Sequence, residues 1–142
     1  MRVLSAYPLV TTRNLQATRD FYATHFGFEV IFEASWVVML GANGSNCLGL
    51  MSPDHPTSPP GADVFDGRGM IVTIQVDDAA QACTALRRQG APIAYDLHDE
   101  PWGQRRFMTL DPSGTLVDVV EQTAPAAGYW EKYLPARETA AA

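Results

Sequence analysis

One order of elements, strand, helix, glycine stop and three strands, occurs twice in this chain, and the repeat limits the fold more than any other feature. In the first half, Val3–Thr12 is a strand candidate rich in β-branched and aromatic residues. Asn14 is placed to cap a helix over Leu15–Phe26, with Leu15, Tyr22 and Phe26 on its apolar side and Gly27 as its stop. Phe28–Ala34 alternates at period two, Trp36–Leu40 is the next strand candidate, and Gly41-Ala42-Asn43-Gly44 turns into Ser45–Met51. In the second half, Met70–Val76 is a strand and Asp77 or Asp78 caps a helix carrying Ala79, Ala82, Cys83 and Leu86 at helical spacing. Gly90 stops that helix, and Ala91–Tyr95 begins the last three strands. Leu40–Ser52 lies over Leu110–Gln122, which sets Leu48 against Asp118. The expected class is α+β, built as two βαβββ modules. One helix covers one face of a four-stranded sheet, so the other face needs a partner, either the second module of the same chain or one exchanged between two chains.

The modules are bounded at residues 1–51 and 70–122. Between them, residues 52–69 hold four of the ten prolines and three glycines, which rules out a regular helix or a central strand. A connector of this length is either a solvated linker or a functional loop. Residues 123–142 form a tail in which Tyr129, Trp130, Tyr133 and Leu134 can make one amphipathic turn, while its last residues are expected to fray.

The closing hairpin carries the main chemical question. Asp111-Pro112-Ser113-Gly114 is a turn by its residue types, and Arg105–Leu110 and Thr115–Glu121 are the strands it joins. In the second strand Leu116, Asp118 and Val120 share a face, so one acid sits amid apolar neighbours. Asp118 is a ligand, a cavity wall or a satisfied structural acid. The run Asp96–Gln104 ahead of the hairpin is expected to be an acidic loop holding Trp102 and His98. Arg105 and Arg106 alternate, so only one of them points the same way as Asp118.

A formal charge of -6 and a pI near 4.8 argue against a partner with a phosphate backbone, which needs a basic stripe. Cys47 and Cys83 give no disulfide framework, and no apolar run approaches membrane-span length. The expectation is a cytoplasmic protein with no nucleic-acid or membrane partner.

Three stretches resemble the vicinal oxygen chelate superfamily of glyoxalases, extradiol dioxygenases and bleomycin resistance proteins. They are TRNLQATRDFYATHFGFEV, VDDAAQACTALRRQGAPI and PWGQRRFMTLDPSGTLVDVVE. The resemblance implies curved, cup-shaped mixed sheets with helices on the convex side. It also implies that metal-dependent relatives take their ligands from the first and last strands of each module. Those positions fall here on Tyr7, Ile71, Leu48 and Asp118, and only Asp118 is an ordinary donor for a hard metal. His25 is expected on the outer helix, while His55 and His98 are loop residues, either solvated or reaching the cup as a lid.

The resemblance therefore points to the branch like bleomycin resistance proteins, with no metal and no cofactor. A homodimer is expected, binding a small molecule that is cationic or aromatic. Tyr7, Trp36, Leu48, Ile71, Trp102, Arg105 and Asp118 are the candidate ligand contacts. Trp36 and Trp102 would offer stacking faces, and Asp118 would act as counter-ion. No catalytic residue is assigned. The alternative is a lyase, isomerase or dioxygenase with an altered site, using Asp118 or Tyr7 as acid or base.

Overall fold

The computed structural model describes residues 1–57 and 63–136. Residues 58–62 of the linker and 137–142 of the tail, where fraying is expected, lie outside the described residues. The elements are β1 (Leu9–Thr11), α1 (Leu15–Phe26), β2 (Glu29–Glu33), β3 (Val37–Ala42) and β4 (Ser45–Met51). There follow β5 (Ile71–Gln75), α2 (Ala79–Arg88), β6 (Ile93–Glu100), β7 (Gln104–Leu110) and β8 (Leu116–Gln122). They form two four-stranded mixed sheets, β1-β4-β3-β2 and β5-β8-β7-β6, so the repeated α+β order is present as expected.

The chain divides into two compact units, the first being Met1–Met70 with Leu110–Leu116 and the second Ile71–Thr109 with the chain from Val117 onward. The tip of the second module's hairpin thus belongs to the first unit. Tyr22 Oη donates to Asp111 Oδ2 over 2.7 Å, and Asp111 Oδ1 accepts the N–H groups of Ser113 and Thr115. Burial together with the Asp111 charge pushes the Tyr22 hydroxyl far above its ordinary range, so it stays a donor.

In the first unit, β1 pairs parallel to β4, and β4–β3–β2 are antiparallel. Val38, Leu40, Leu48 and Leu50 are buried on the side that α1 covers with Phe21 and Tyr22. Gly27 ends α1 with φ 67°, as its position demands. Asn14 departs from expectation, because its side chain makes no cap bond. Instead its Nδ2 donates to Pro112 O over 2.8 Å, a tertiary bond that orients the side chain while its Oδ1 makes no cap bond. The first strand is shorter than its pattern suggests, beginning at Leu9 just after Pro8, which has no N–H for a ladder. Trp36 lies in the bend before β3 and not on a strand.

In the second unit Asp78 caps α2 by accepting from Gln81 N at 2.9 Å, and Glu121 accepts from Ala79 N at 2.9 Å. Ala79, Cys83 and Leu86 of α2, together with Val117 and Val119 of β8, make the buried side. The expected acidic loop is mostly strand, since β6 continues to Glu100 and only Pro101-Trp102-Gly103 turn. The cause is cross-strand charge pairing, which sets Asp99 against Arg105 and brings Glu100 to Arg106. The tail folds back on this turn, where Ala126 N donates to Pro101 O and Trp130 Nε1 to Trp102 O.

Candidate binding face of the second unit

Alternation sends Val117, Val119 and Glu121 of β8 toward α2 and leaves Leu116, Asp118, Val120 and Gln122 on the opposite, helix-free side. On β5 that side presents Ile71, Thr73 and Gln75, all exposed, with Gln122 Nε2 3.2 Å from Gln75 Oε1. On β7 it presents Gln104, Arg106 and Met108. A chain of polar contacts crosses it. His98 Nδ1 donates to the Asp96 carbonyl over 2.7 Å, and His98 Nε2 meets Glu100 Oε1 at 2.8 Å. The other Glu100 oxygen takes Arg106 Nε at 2.8 Å and Nη2 at 2.7 Å. Arg106 Nη1 then stands 3.6 Å from Asp118 Oδ1, within ion-pair reach but too far for a hydrogen bond. Thr73 Oγ1 donates weakly to Asp118 Oδ2 at 3.4 Å.

Two aromatic rings lie near Arg106 as well as the acids at its edge. Its guanidinium carbon is 5.0 Å from the Trp102 ring centroid and 5.4 Å from that of Tyr95. Trp102 in turn donates Nε1–H to Gln104 Oε1 over 2.9 Å and packs 6.3 Å from Tyr129 of the tail. Asp118 is only 7% exposed, and its Oδ1 has no hydrogen-bond partner. Burial raises its carboxyl above the usual carboxylate range. Arg106 and Thr73 oppose that shift, and the Glu100 charge adds to it.

Ile71, Trp102 and Asp118 all lie in this unit. Arg105 is the outward member of its pair, on the helix side, where Nε meets Asp99 Oδ1 at 2.7 Å and holds the Asp99 carboxyl below its usual range. Arg106 is the inward arginine. Tyr7, Trp36 and Leu48 belong to the first unit. Tyr7 is 43% exposed in the extended lead-in to β1, and Trp36 is half-buried in its bend.

Leu48 requires a correction: it faces Leu40 on the buried side under α1, not the helix-free side. Thr12 N donates to Met51 O, just as Val76 N donates to Val120 O. This makes Met51 the counterpart of Val120, and therefore Gly49 the counterpart of Asp118. The alignment read from the sequence slips by one residue, which turns a strand over. Gly49 has no side chain to offer, and a Cβ there would meet Leu9 Cδ1 at 2.6 Å and Met39 Sδ at 3.2 Å. His98, Glu100, Arg106 and Tyr95 complete the site; the sequence offers His98 as a loop residue able to reach the cup and Arg106 as the alternative to Arg105, but does not single out Glu100 or Tyr95. The signal was there as HDE and QRR on either side of a three-residue turn, an arrangement that pairs acids with bases across a hairpin.

The chain belongs to the Glyoxalase/Bleomycin resistance protein/Dioxygenase superfamily, whose family model matches residues 5–119. Among solved structures, one from the mobile metagenome of V. Pseudocholerae is similar at 19% identity and TM-score 0.70, over 87% of this chain and 98% of that one. Lactoylglutathione lyase from Agrobacterium tumefaciens is similar at 21% identity and TM-score 0.67, over 84% and 94%. A glyoxalase/bleomycin resistance protein/dioxygenase from Nocardioides is similar at 20% identity and TM-score 0.68, over 90% and 87%. No curated protein matches the chain. No helix among the described residues is long and apolar enough to cross a membrane.

Proposed function

We propose that the protein binds a small organic molecule without a metal ion and sequesters it, with the helix-free face of the second unit as the binding surface. The observation that carries this reading is Arg106. Its guanidinium stands 3.6 Å from Asp118, the one ordinary donor among the positions where metal-dependent relatives are expected to place ligands, and a fixed cation there opposes a divalent ion. The remaining positions hold Tyr7, Ile71 and Gly49, which is a poor donor set. Among the described residues no cluster of three His, Cys, Asp or Glu side chains has the arrangement of a metal centre. The half-buried Met108 with the exposed Ile71 supplies apolar area beside the polar chain, as small-molecule sites require. Metal analysis of protein purified without chelators tests the proposal. A substoichiometric divalent content is expected, and one tightly held ion per chain that binds through Asp118 overturns it.

A second reading, an acid–base enzyme of the same superfamily, is favoured by the raised carboxyl of Asp118, since a carboxyl that keeps its proton nearer neutrality can act as a general acid. Lactoylglutathione lyase among the similar structures makes lyase chemistry the first to assay. Asp118→Asn abolishes turnover of an identified substrate under this reading and leaves it intact if the acid has no part in the chemistry.

A further inference from the structure

The ligand can be narrowed from the polar groups it would meet, an inference that rests on the helix-free face of the second unit being the binding surface. Glu100 and Arg106 already neutralise each other through two contacts to one oxygen, and the second Glu100 oxygen is taken by His98. Asp118 Oδ1 is left over, buried and without a donor, and its nearest cation, Arg106 Nη1, is 3.6 Å away. Such an atom costs free energy until a hydrogen is delivered to it.

Three kinds of polar ligand could approach this pair of groups, of which a carboxylate has no hydrogen to give. A cation approaching Asp118 meets the Arg106 guanidinium, whose position is fixed by Glu100, Trp102 and Tyr95. A carboxylate approaching Arg106 meets the acids of Glu100 and Asp118 on either side. A neutral group with a donor and an acceptor side by side meets neither repulsion, because its N–H or O–H donates to Asp118 Oδ1, once a turn of the Asp118 side chain opens that buried atom to the face, while its oxygen accepts from Arg106 Nη1. The 3.6 Å gap suits the edge of a carboxamide or one bridging hydroxyl. We propose that the second unit takes a neutral carboxamide- or hydroxyl-bearing molecule, its polar edge docked between Asp118 and Arg106 and its apolar body against Met108 and Ile71. This differs from the cationic ligand that the net charge of the chain suggests, because the local arrangement of fixed charges outweighs the total.

Four probes with one ring separate the cases: benzamide, benzylammonium, benzoate and toluene. Each is titrated into the full chain while the methyl resonances of Met108 and Ile71 are followed by NMR. Benzamide is expected to bind about tenfold more tightly than the other three, as one added hydrogen-bonded contact allows. Asp118→Ala is expected to erase that preference while toluene binding persists, and Asp118→Leu serves if the alanine variant does not fold. A tighter benzylammonium or benzoate overturns the ligand class and leaves the binding face standing, as does benzamide equal to toluene. No movement of either methyl with any probe overturns the binding face itself, and the inference with it.

Discussion

Arg106 Nη1 stands 3.6 Å from Asp118 Oδ1, while the same guanidinium holds Glu100 Oε2 at 2.7 and 2.8 Å. The two acids share one cation unequally. The exposures of 19% for Arg106, 9% for Glu100 and 10% for Asp118, measured on the side chains, place the cluster largely out of water.

Removing that cation leaves Asp118 without a nearby cation and Glu100 with its His98 contact alone. Arg106→Ala is therefore expected to lower unfolding free energy by about 2–3 kcal/mol, below the figure for a fully buried pair because some solvent reaches the arginine. Urea denaturation measures it. Its sequence neighbour gives the contrast: Arg105 pairs with the exposed Asp99, and Arg105→Ala is expected to be indistinguishable from the parent in the same assay.

Asp118 makes stability depend on pH in a definite direction. Its folded pKa lies above the unfolded value, so the native state binds the extra proton and stability falls as pH rises through the folded pKa. Asp118→Asn is expected to be more stable than the parent at neutral pH by about 1 kcal/mol, the low end of the cost of an unsatisfied buried group. The difference should close below the ordinary carboxylate range. Thermal melts across pH read this, and a gap that widens in acid refutes it.

Tyr22 tests the first unit. Its hydroxyl is the donor to Asp111 Oδ2 at 2.7 Å, in a site where the tyrosine is fully buried. Tyr22→Phe leaves that carboxylate oxygen without its hydrogen and is expected to cost about 2 kcal/mol with little change in denaturant slope.

Much of this was legible from the sequence, and the failures have physical causes. Alternation and the Asp111–Gly114 turn were enough to separate the Asp118 face from the Glu121 face. The counterpart of Asp118 is hidden in the sequence because the two modules match best through turns of different size. Asn43-Gly44 is a two-residue turn with φ 53° and 77°, next to a register shift between Leu40 and Gly41. Residues 111–115 form a longer loop between β7 and β8. A difference in turn length and a bulge are invisible to a composition match, yet together they flip a strand. The Asp96–Glu100 strand was hidden for another reason: a run of acids suggests a loop until the bases facing it across the hairpin are counted. Alternation also left Arg105 and Arg106 undecided, because the register of β7 depends on that short turn.

The most direct test of the account is a crystal structure of the full chain purified from cells without chelators, inspected at the helix-free face of the second unit. Density for an organic molecule against Asp118, Arg106, Met108 and Ile71 is the predicted result. A divalent ion ligated by Asp118, with Arg106 swung away from it, would contradict the account.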